Sequence, residues 1–283
     1  MLRNTPLFNE HKKLNARLGA FGGWQMPIQY DGIIAEHNWT RSSASIFDIC
    51  HMGEFIIKGD LKKSNIDSVF TMKLDDLTPG RCRYGFILNE EGNIIDDLIV
   101  YRLEDKKWMV VVNAATTTKD EDHIRERLSS DSEFTNISDI TAKIDIQGPL
   151  SKEILFETLS VDVSNLKYFN FKSFSLFGED VIISRTGYTG ELGYEIYINS
   201  ENVEKLWQLL CKDNRVKPGG LGARDTLRLE MCYPLYGQDI DETKTPYEAN
   251  LMNFVCLDKD FYGKEALLKK MKDVSTSFLI PLK

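Results

Sequence analysis

Seven short runs rich in Ile, Val, Phe and Tyr recur along the 283 residues, and they constrain the fold more than any other feature. They are Glu54 to Ile57, Tyr84 to Leu88, Ile94 to Tyr101, Trp108 to Asn113, Lys143 to Gln147, Val181 to Arg185 and Tyr194 to Ile198. Each is bounded by Gly, Asn or Asp, as strands are. Amphipathic helices lie between them. In Val203 to Lys212 the apolar residues Val203, Leu206, Trp207 and Leu210 fall on one helical face. Ile66 to Met72 and Lys264 to Lys272 read as further helices. Strands and helices do not alternate one for one, and tight turns such as Asn89-Glu90-Glu91-Gly92-Asn93 join successive strands. The pattern gives an α+β fold of antiparallel sheets with flanking helices. A hinge between halves is expected at Gln147-Gly148-Pro149, and another break at Pro218-Gly219-Gly220.

Composition narrows the partners. Net charge is -8, with both signs interspersed and no basic stripe, which argues against nucleic acid. The five cysteines are odd in number and form no C-x-x-C pair, and no two of the four histidines stand at helical ligand spacing. Neither a disulfide framework nor a metal site is signalled. No apolar h-region follows Met1 to Pro6, and no stretch approaches the ~20 apolar residues that span a bilayer. The expectation is a soluble cytoplasmic protein that does not engage membranes.

Three segments carry candidate chemistry. In Ile94-Ile95-Asp96-Asp97-Leu98-Ile99-Val100-Tyr101 two adjacent carboxylates interrupt an apolar run. Successive strand side chains point to opposite faces, and an unpaired buried carboxylate costs several kcal/mol or changes its pKa. Either one acid faces a polar cavity or a cation, or the strand starts only at Leu98 and both acids sit in its leading turn. In Gly187-Tyr188-Thr189-Gly190-Glu191-Leu192-Gly193-Tyr194-Glu195 the glycines permit positive φ and close approach to a flat ligand. Glu195 either accepts parallel hydrogen bonds from an aminopyrimidinone edge or faces solvent from a half-exposed strand. Gly220 to Glu230 reads as a loop entering a helix, where Arg224 either holds a carboxylate bidentately or makes a surface salt bridge. Cys50-His51 is a poor nucleophile–base pair, because neighbours on a strand point apart.

The order of motifs closely resembles the glycine cleavage system T-protein (aminomethyltransferase) family, from Thr5 to about Leu267. Thr5-Pro6-Leu7 is followed by Phe21-Gly22-Gly23-Trp24-Gln25-Met26-Pro27, Phe47-Asp48, His51-Met52-Gly53-Glu54 and Ile94 to Tyr101. Then come Val111 to Ala115, Gln147-Gly148-Pro149, Arg185 to Glu191, Gly220 to Glu230 and Pro234-Leu235-Tyr236-Gly237. The resemblance implies a folate-binding fold in which residues 1–273 form two intertwined α+β subdomains. Residues 274–283 would begin a C-terminal β-domain, the rest of which, roughly another 80 residues by ordinary domain size, is missing. It implies a monomer that uses tetrahydrofolate as cosubstrate, needs no metal, and has lipoylated H-protein as partner. The implied products are 5,10-methylenetetrahydrofolate, ammonia and dihydrolipoyl H-protein.

Carried over by position, Asp97 matches the catalytic carboxylate, which would orient the folate, accept a proton or stabilise a cationic intermediate. Glu195 and Arg224 match the ligand-contacting acid and arginine. Tyr188, Asn113, Tyr84, Tyr233 and Met52 match positions lining the folate channel, and Asp96 is expected to serve the turn. Two other readings share the scaffold: a folate-dependent demethylase, and a folate-binding protein without transferase activity. Lys259-Asp260-Phe261-Tyr262-Gly263-Lys264-Glu265 resembles the transferase version of a motif that separates the last of these.

Overall fold

The computed structural model describes residues 1–273 and 277–280. The chain divides into two compact units, each built from discontinuous segments. The first comprises 1–52 and 138–233, the second 53–137 and 234 onward.

The first unit is organised by a six-stranded sheet. Its order is Phe171–Leu176, Glu179–Ser184, Gly193–Asn199, Thr141–Gln147, Ala44–Asp48 and Val216–Gly219, antiparallel except for the last pair. A three-stranded sheet adds Arg3–Asn4, Trp24–Gln29 and Arg17–Phe21. Period-two alternation gives the large sheet two different faces. Ala142, Ile144, Ile146, Tyr194, Ile196 and Ile198 point into one core, where the helices Ser151–Leu159 and Val203–Leu210 cover them. The four apolar positions expected on the second helix are all buried. Lys143, Asp145, Gln147, Glu195 and Tyr197 alternate with that set and occupy the opposite face. There the helix Leu221–Glu230 packs through Ala223 and Leu227 against Phe47 and Ile49.

The second unit is a five-stranded antiparallel sheet in the order Arg81–Leu88, Ile94–Glu104, Lys107–Val112, Gly53–Lys58 and Glu133–Asn136. The expected turn is present: the Asn89 amide donates to the Asn93 carbonyl at 2.9 Å, with Gly92 at φ +76°. One register irregularity bears on the acid pair. Leu88 pairs with Ile94 while Ile87 pairs with Asp96, so Ile95 is an extra residue bulged out of the ladder. A bulge re-aims the side chains that follow it.

All seven expected strands are present, with ends displaced by at most a few residues. Four expectations need correction. Gln147-Gly148-Pro149 is not a hinge, for the chain crosses between units after residues 52, 137 and 233. Gly148 instead lies inside the first unit at φ +139°, where a Cβ would sit 2.2 Å from the Ser43 carbonyl oxygen. Helix Ile66 to Met72 is only Ile66–Val69, because Phe70 turns extended and the Thr71 amide bonds to the Phe86 carbonyl at 3.0 Å. The helix at 264 ends at Lys270. Of the segment 274–283, residues 277–280 carry no strand, with Phe278 edge-on to Tyr247 at 5.0 Å. Residues 274–276 and 281–283 lie outside the described residues. No described helix is long and apolar enough to cross a membrane.

Candidate functional site

Both acids of the 96–97 pair lie within the strand Ile94–Glu104, so the reading in which they form its leading turn is corrected. Asp96 is fully buried rather than serving a turn. The bulge at Ile95 and one amide side chain explain how two successive acids are accommodated. Ile99 pairs with Val111, so continuing the ladder by two residues sets Asn113 across from Asp97. Asn113 Nδ2 donates to Asp97 Oδ1 and to Asp96 Oδ1, each at 2.9 Å, and the Asn113 amide donates to Asp96 Oδ2 at 3.0 Å. Phe86 pairs with Asp97, and Tyr84 is two residues away on the same face, a diagonal neighbour. Its hydroxyl donates to Asp97 Oδ2 at 2.9 Å. The Tyr84 ring is fixed edge-on between Phe86 at 5.4 Å and Phe254 at 4.8 Å. Tyr84 also lines a recess of about 270 Å³ with Met72, Arg83 and the 253–256 segment.

Burial pushes the Asp97 carboxyl up to about 7, and the charge of Asp96 adds to this, while the Tyr84 and Asn113 hydrogen bonds pull the other way. Among the described residues, no cation pairs with Asp97 to hold it ionised. The structure thus joins Asp97, Tyr84 and Asn113, three residues singled out in the sequence, in one hydrogen-bonded group.

The first unit holds the second group. Glu195 is buried, not solvent-facing. Its Oε2 accepts from Thr186 Oγ1 at 2.6 Å and from the Tyr197 hydroxyl at 3.2 Å, and Lys143 Nζ stands 3.7 Å from Oε1. Burial alone would raise this carboxyl, yet Lys143, Thr186 and Arg224 more than offset it and hold it below its ordinary value. Arg224 is no surface salt bridge. Its Nη1 donates to Asp145 Oδ2 at 2.8 Å, with Asp145 fully buried. The same guanidinium lies 5.0 Å over the Tyr188 ring, which stacks on Tyr233 at 5.8 Å and 26°. Tyr233 also lines a recess of about 340 Å³ with Arg185 and the 186–193 segment.

Sequence reasoning missed three members of this group. Asp145 faces Glu195 across the ladder, and burial with that neighbouring charge pushes it up to about 7 while Arg224 opposes. Lys143 lies two residues before it on the same face. Gln147, read as part of a hinge, is the strut of the glycine-rich loop. It accepts from Thr189 Oγ1 at 2.6 Å and donates to the Thr186 carbonyl at 3.1 Å. A Cβ on Gly187 or Gly193 would come within 2.2 Å of its side chain. Only Gly190 of the three uses positive φ, so two of these glycines serve Gln147 rather than a ligand. The available signal was the alternation Lys143, Asp145, Gln147 against Ala142, Ile144, Ile146. Met52 is half-buried in the turn after Ala44–Asp48 and belongs to neither group. Neighbouring His51 is pushed down to about 3 by burial, so it is neutral, which agrees with setting Cys50-His51 aside.

A carboxyl titrating near neutrality, held by a phenol and an amide, is what an enzyme uses to take up protons or to stabilise developing positive charge. A buried anion beside stacked aromatic rings suits a flat heteroaromatic with a polar edge. The class is thus that of a group-transfer enzyme. The chain belongs to the family described as the GCVT N-terminal domain, whose model matches residues 7–259. It is 44% identical over 286 residues to an aminomethyltransferase of Halothermothrix orenii, covering 100% of this chain and 80% of that protein. It is 41% identical over 285 residues to an aminomethyltransferase of Staphylococcus carnosus, covering 99% and 78%. The crystal structure of glycine cleavage system aminomethyltransferase T from Bartonella henselae superposes with a TM-score of 0.91 at 32% identity, covering 96% of this chain and 75% of that one.

Proposed function

We propose that the chain is a tetrahydrofolate-dependent aminomethyltransferase of glycine cleavage. It takes the aminomethyl group carried by the dihydrolipoyl arm of H-protein and yields 5,10-methylenetetrahydrofolate, ammonia and dihydrolipoyl H-protein. The observation that carries this reading is the Asp97 carboxyl, pushed to about 7 between Tyr84 and Asn113, in a chain whose family match spans 7–259.

Tetrahydrofolate, when bound, supplies the nucleophilic nitrogen that accepts the one-carbon unit. The residues of this chain divide the remaining work. Glu195, ionised because Lys143 and Arg224 hold it so, accepts hydrogen bonds from the aminopyrimidinone edge of the pterin. Thr186 and Tyr197 hold one of its oxygens in place. Tyr188 and Tyr233 offer ring faces, and Arg224, fixed by Asp145, keeps a positive charge against them. Asp97 takes up the proton released as the nitrogen reacts and stabilises positive charge that develops there. Its elevated proton affinity suits both tasks near neutral pH.

The test is direct. Purified protein is mixed with aminomethylated H-protein and tetrahydrofolate, and methylenetetrahydrofolate is followed spectroscopically. Product and ammonia should appear in equal amounts. Tight tetrahydrofolate binding with no product would instead favour the binding-only reading. Demethylation of a methylated amine in place of this reaction would favour the sibling enzyme.

A further inference from the structure

Behind Asp97 stands a second acid pair. Asp96, on the strand Ile94–Glu104, and Asp120, in the helix Thr117–Arg127, are both fully buried, and the charge of Asp96 bears on the Asp120 carboxyl. No N–H or hydroxyl donor of the described residues satisfies either oxygen of Asp120. Thr116, one turn before it, lies against both carboxyls and lowers the proton affinity of each, while its hydroxyl donates to the Asn113 carbonyl at 3.1 Å. A bond between two carboxyl groups needs a proton, and only one of the two can supply it.

The surroundings decide which. Asp96 accepts from the Asn113 amide and from Asn113 Nδ2, so its oxygens are committed as acceptors on that side. Asp120 has no such amide donor among the described residues. Nor, among the described residues, is any cation paired with it. Lys119 directs its ammonium to Glu242 and to the Tyr236 hydroxyl. His123, one turn further along the helix, is pushed down to about 4 by burial, with Arg127 and Lys119 adding to this, and is neutral. Two adjacent ionised acids in this interior would each be desolvated and would repel one another.

We propose that Asp120 is a positioning residue: it keeps a proton that it donates to Asp96, fixing Asp96 as the acceptor that orients Asn113 against Asp97. The role rests on the reading of Asp97 as the reacting carboxylate. Asn113 Nδ2 carries two hydrogens, one for each neighbouring acid, so its orientation toward Asp97 depends on Asp96 accepting. Burial, followed by the charge of Asp96, pushes Asp120 up to about 10. The proton thus stays in place through the range in which Asp97 titrates.

Two measurements test this. Infrared difference spectra of the wild type and Asp120→Asn, at about pH 8.5 and so between the two titrations, should show a protonated carboxylic acid band that only the wild type has. Absence of that band overturns the proposal, whether or not any variant is active. In turnover, Asp120→Asn keeps a donor of the same shape and should hold kcat within about threefold of wild type with the same pH midpoint. Asp120→Ala removes the donor and should lose roughly 10–100-fold in kcat while tetrahydrofolate binding changes little. Equal losses in the two variants, or wild-type kcat and pH midpoint in Asp120→Ala, would also overturn it. Should Asp120→Ala fail to fold, the infrared band and the Asp120→Asn rescue still decide. Should the wild type form no methylenetetrahydrofolate, the reaction reading falls while the infrared result stands on its own.

Discussion

Glu195 and Asp97 are both carboxylates on antiparallel strands, both largely withdrawn from water, and their surroundings drive their charge in opposite directions. In the first unit Glu195 sits among Lys143, Arg224, Thr186 and Tyr197, which together overcome the cost of burial. In the second unit Asp97 has an acid beside it, two neutral donors and, among the described residues, no paired cation, so burial prevails. A group that recognises a ligand needs a charge that does not change, and a group that exchanges protons needs one that does. On the proposed roles, strand neighbours tune the same residue chemistry to these two tasks.

Four variants would break or sharpen that contrast. Asp97→Asn keeps the shape and the Tyr84 and Asn113 contacts but cannot take a proton. It should lower kcat by roughly a thousandfold, within the range of general acid–base groups, with tetrahydrofolate affinity changed less than about tenfold. Equilibrium binding beside steady-state turnover checks this. Next in size, Arg224→Met leaves Asp145 buried without its partner and should cost about 3–5 kcal/mol of stability in urea unfolding. Asp145 has a folded-state value raised to about 7, so its ionised form destabilises the fold as pH rises through that value. The loss in Arg224→Met should therefore be larger at about pH 8 than at about pH 5, where protonation relieves the orphaned acid.

Glu195→Gln comes third. It should weaken tetrahydrofolate binding by about tenfold, the worth of a charge-assisted hydrogen bond, with kcat nearly intact. Its depressed value means that the stability it contributes is present above the ordinary 4.5 and is lost as pH falls through the lower folded value. Acid unfolding of Glu195→Gln should accordingly be less steep than that of wild type. The smallest effect is that of Tyr84→Phe. Removing one hydrogen bond that favours the ionised form should raise the midpoint of Asp97 by roughly half a unit to one unit. A pH titration of kcat reads it.

The reach of sequence reasoning differed between the two units for physical reasons. Strands such as Tyr194 to Ile198 were legible because apolar residues on one face alternate with polar ones on the other. Ala44–Asp48 was not, since all five of its residues are buried and no alternation marks it. Trp24–Gln29 contains Pro27, which weakens any strand reading. Helix Thr117–Arg127 is polar on most of its surface, so nothing in its sequence singled out Asp120. The Ile95 bulge was invisible because Ile94-Ile95 looks like uninterrupted strand, and that is why Asp96 was assigned to a turn. Gln147-Gly148-Pro149 carried the composition of a hinge, while its function is to pack beneath a neighbouring loop and against Ser43. Asp97, Glu195 and Arg224 were legible because charged residues stood in apolar or glycine-rich surroundings that needed a reason.

The pH dependence of wild-type turnover, with tetrahydrofolate and aminomethylated H-protein both saturating, bears most directly on whether Asp97 is the proton-exchanging group. The rate should climb with pH through a midpoint near 7, as burial and Asp96 dictate, and the climb should vanish in Asp97→Asn. A wild-type rate that stays level between about pH 5.5 and pH 8.5, or a climb that persists unchanged in Asp97→Asn, would contradict that assignment.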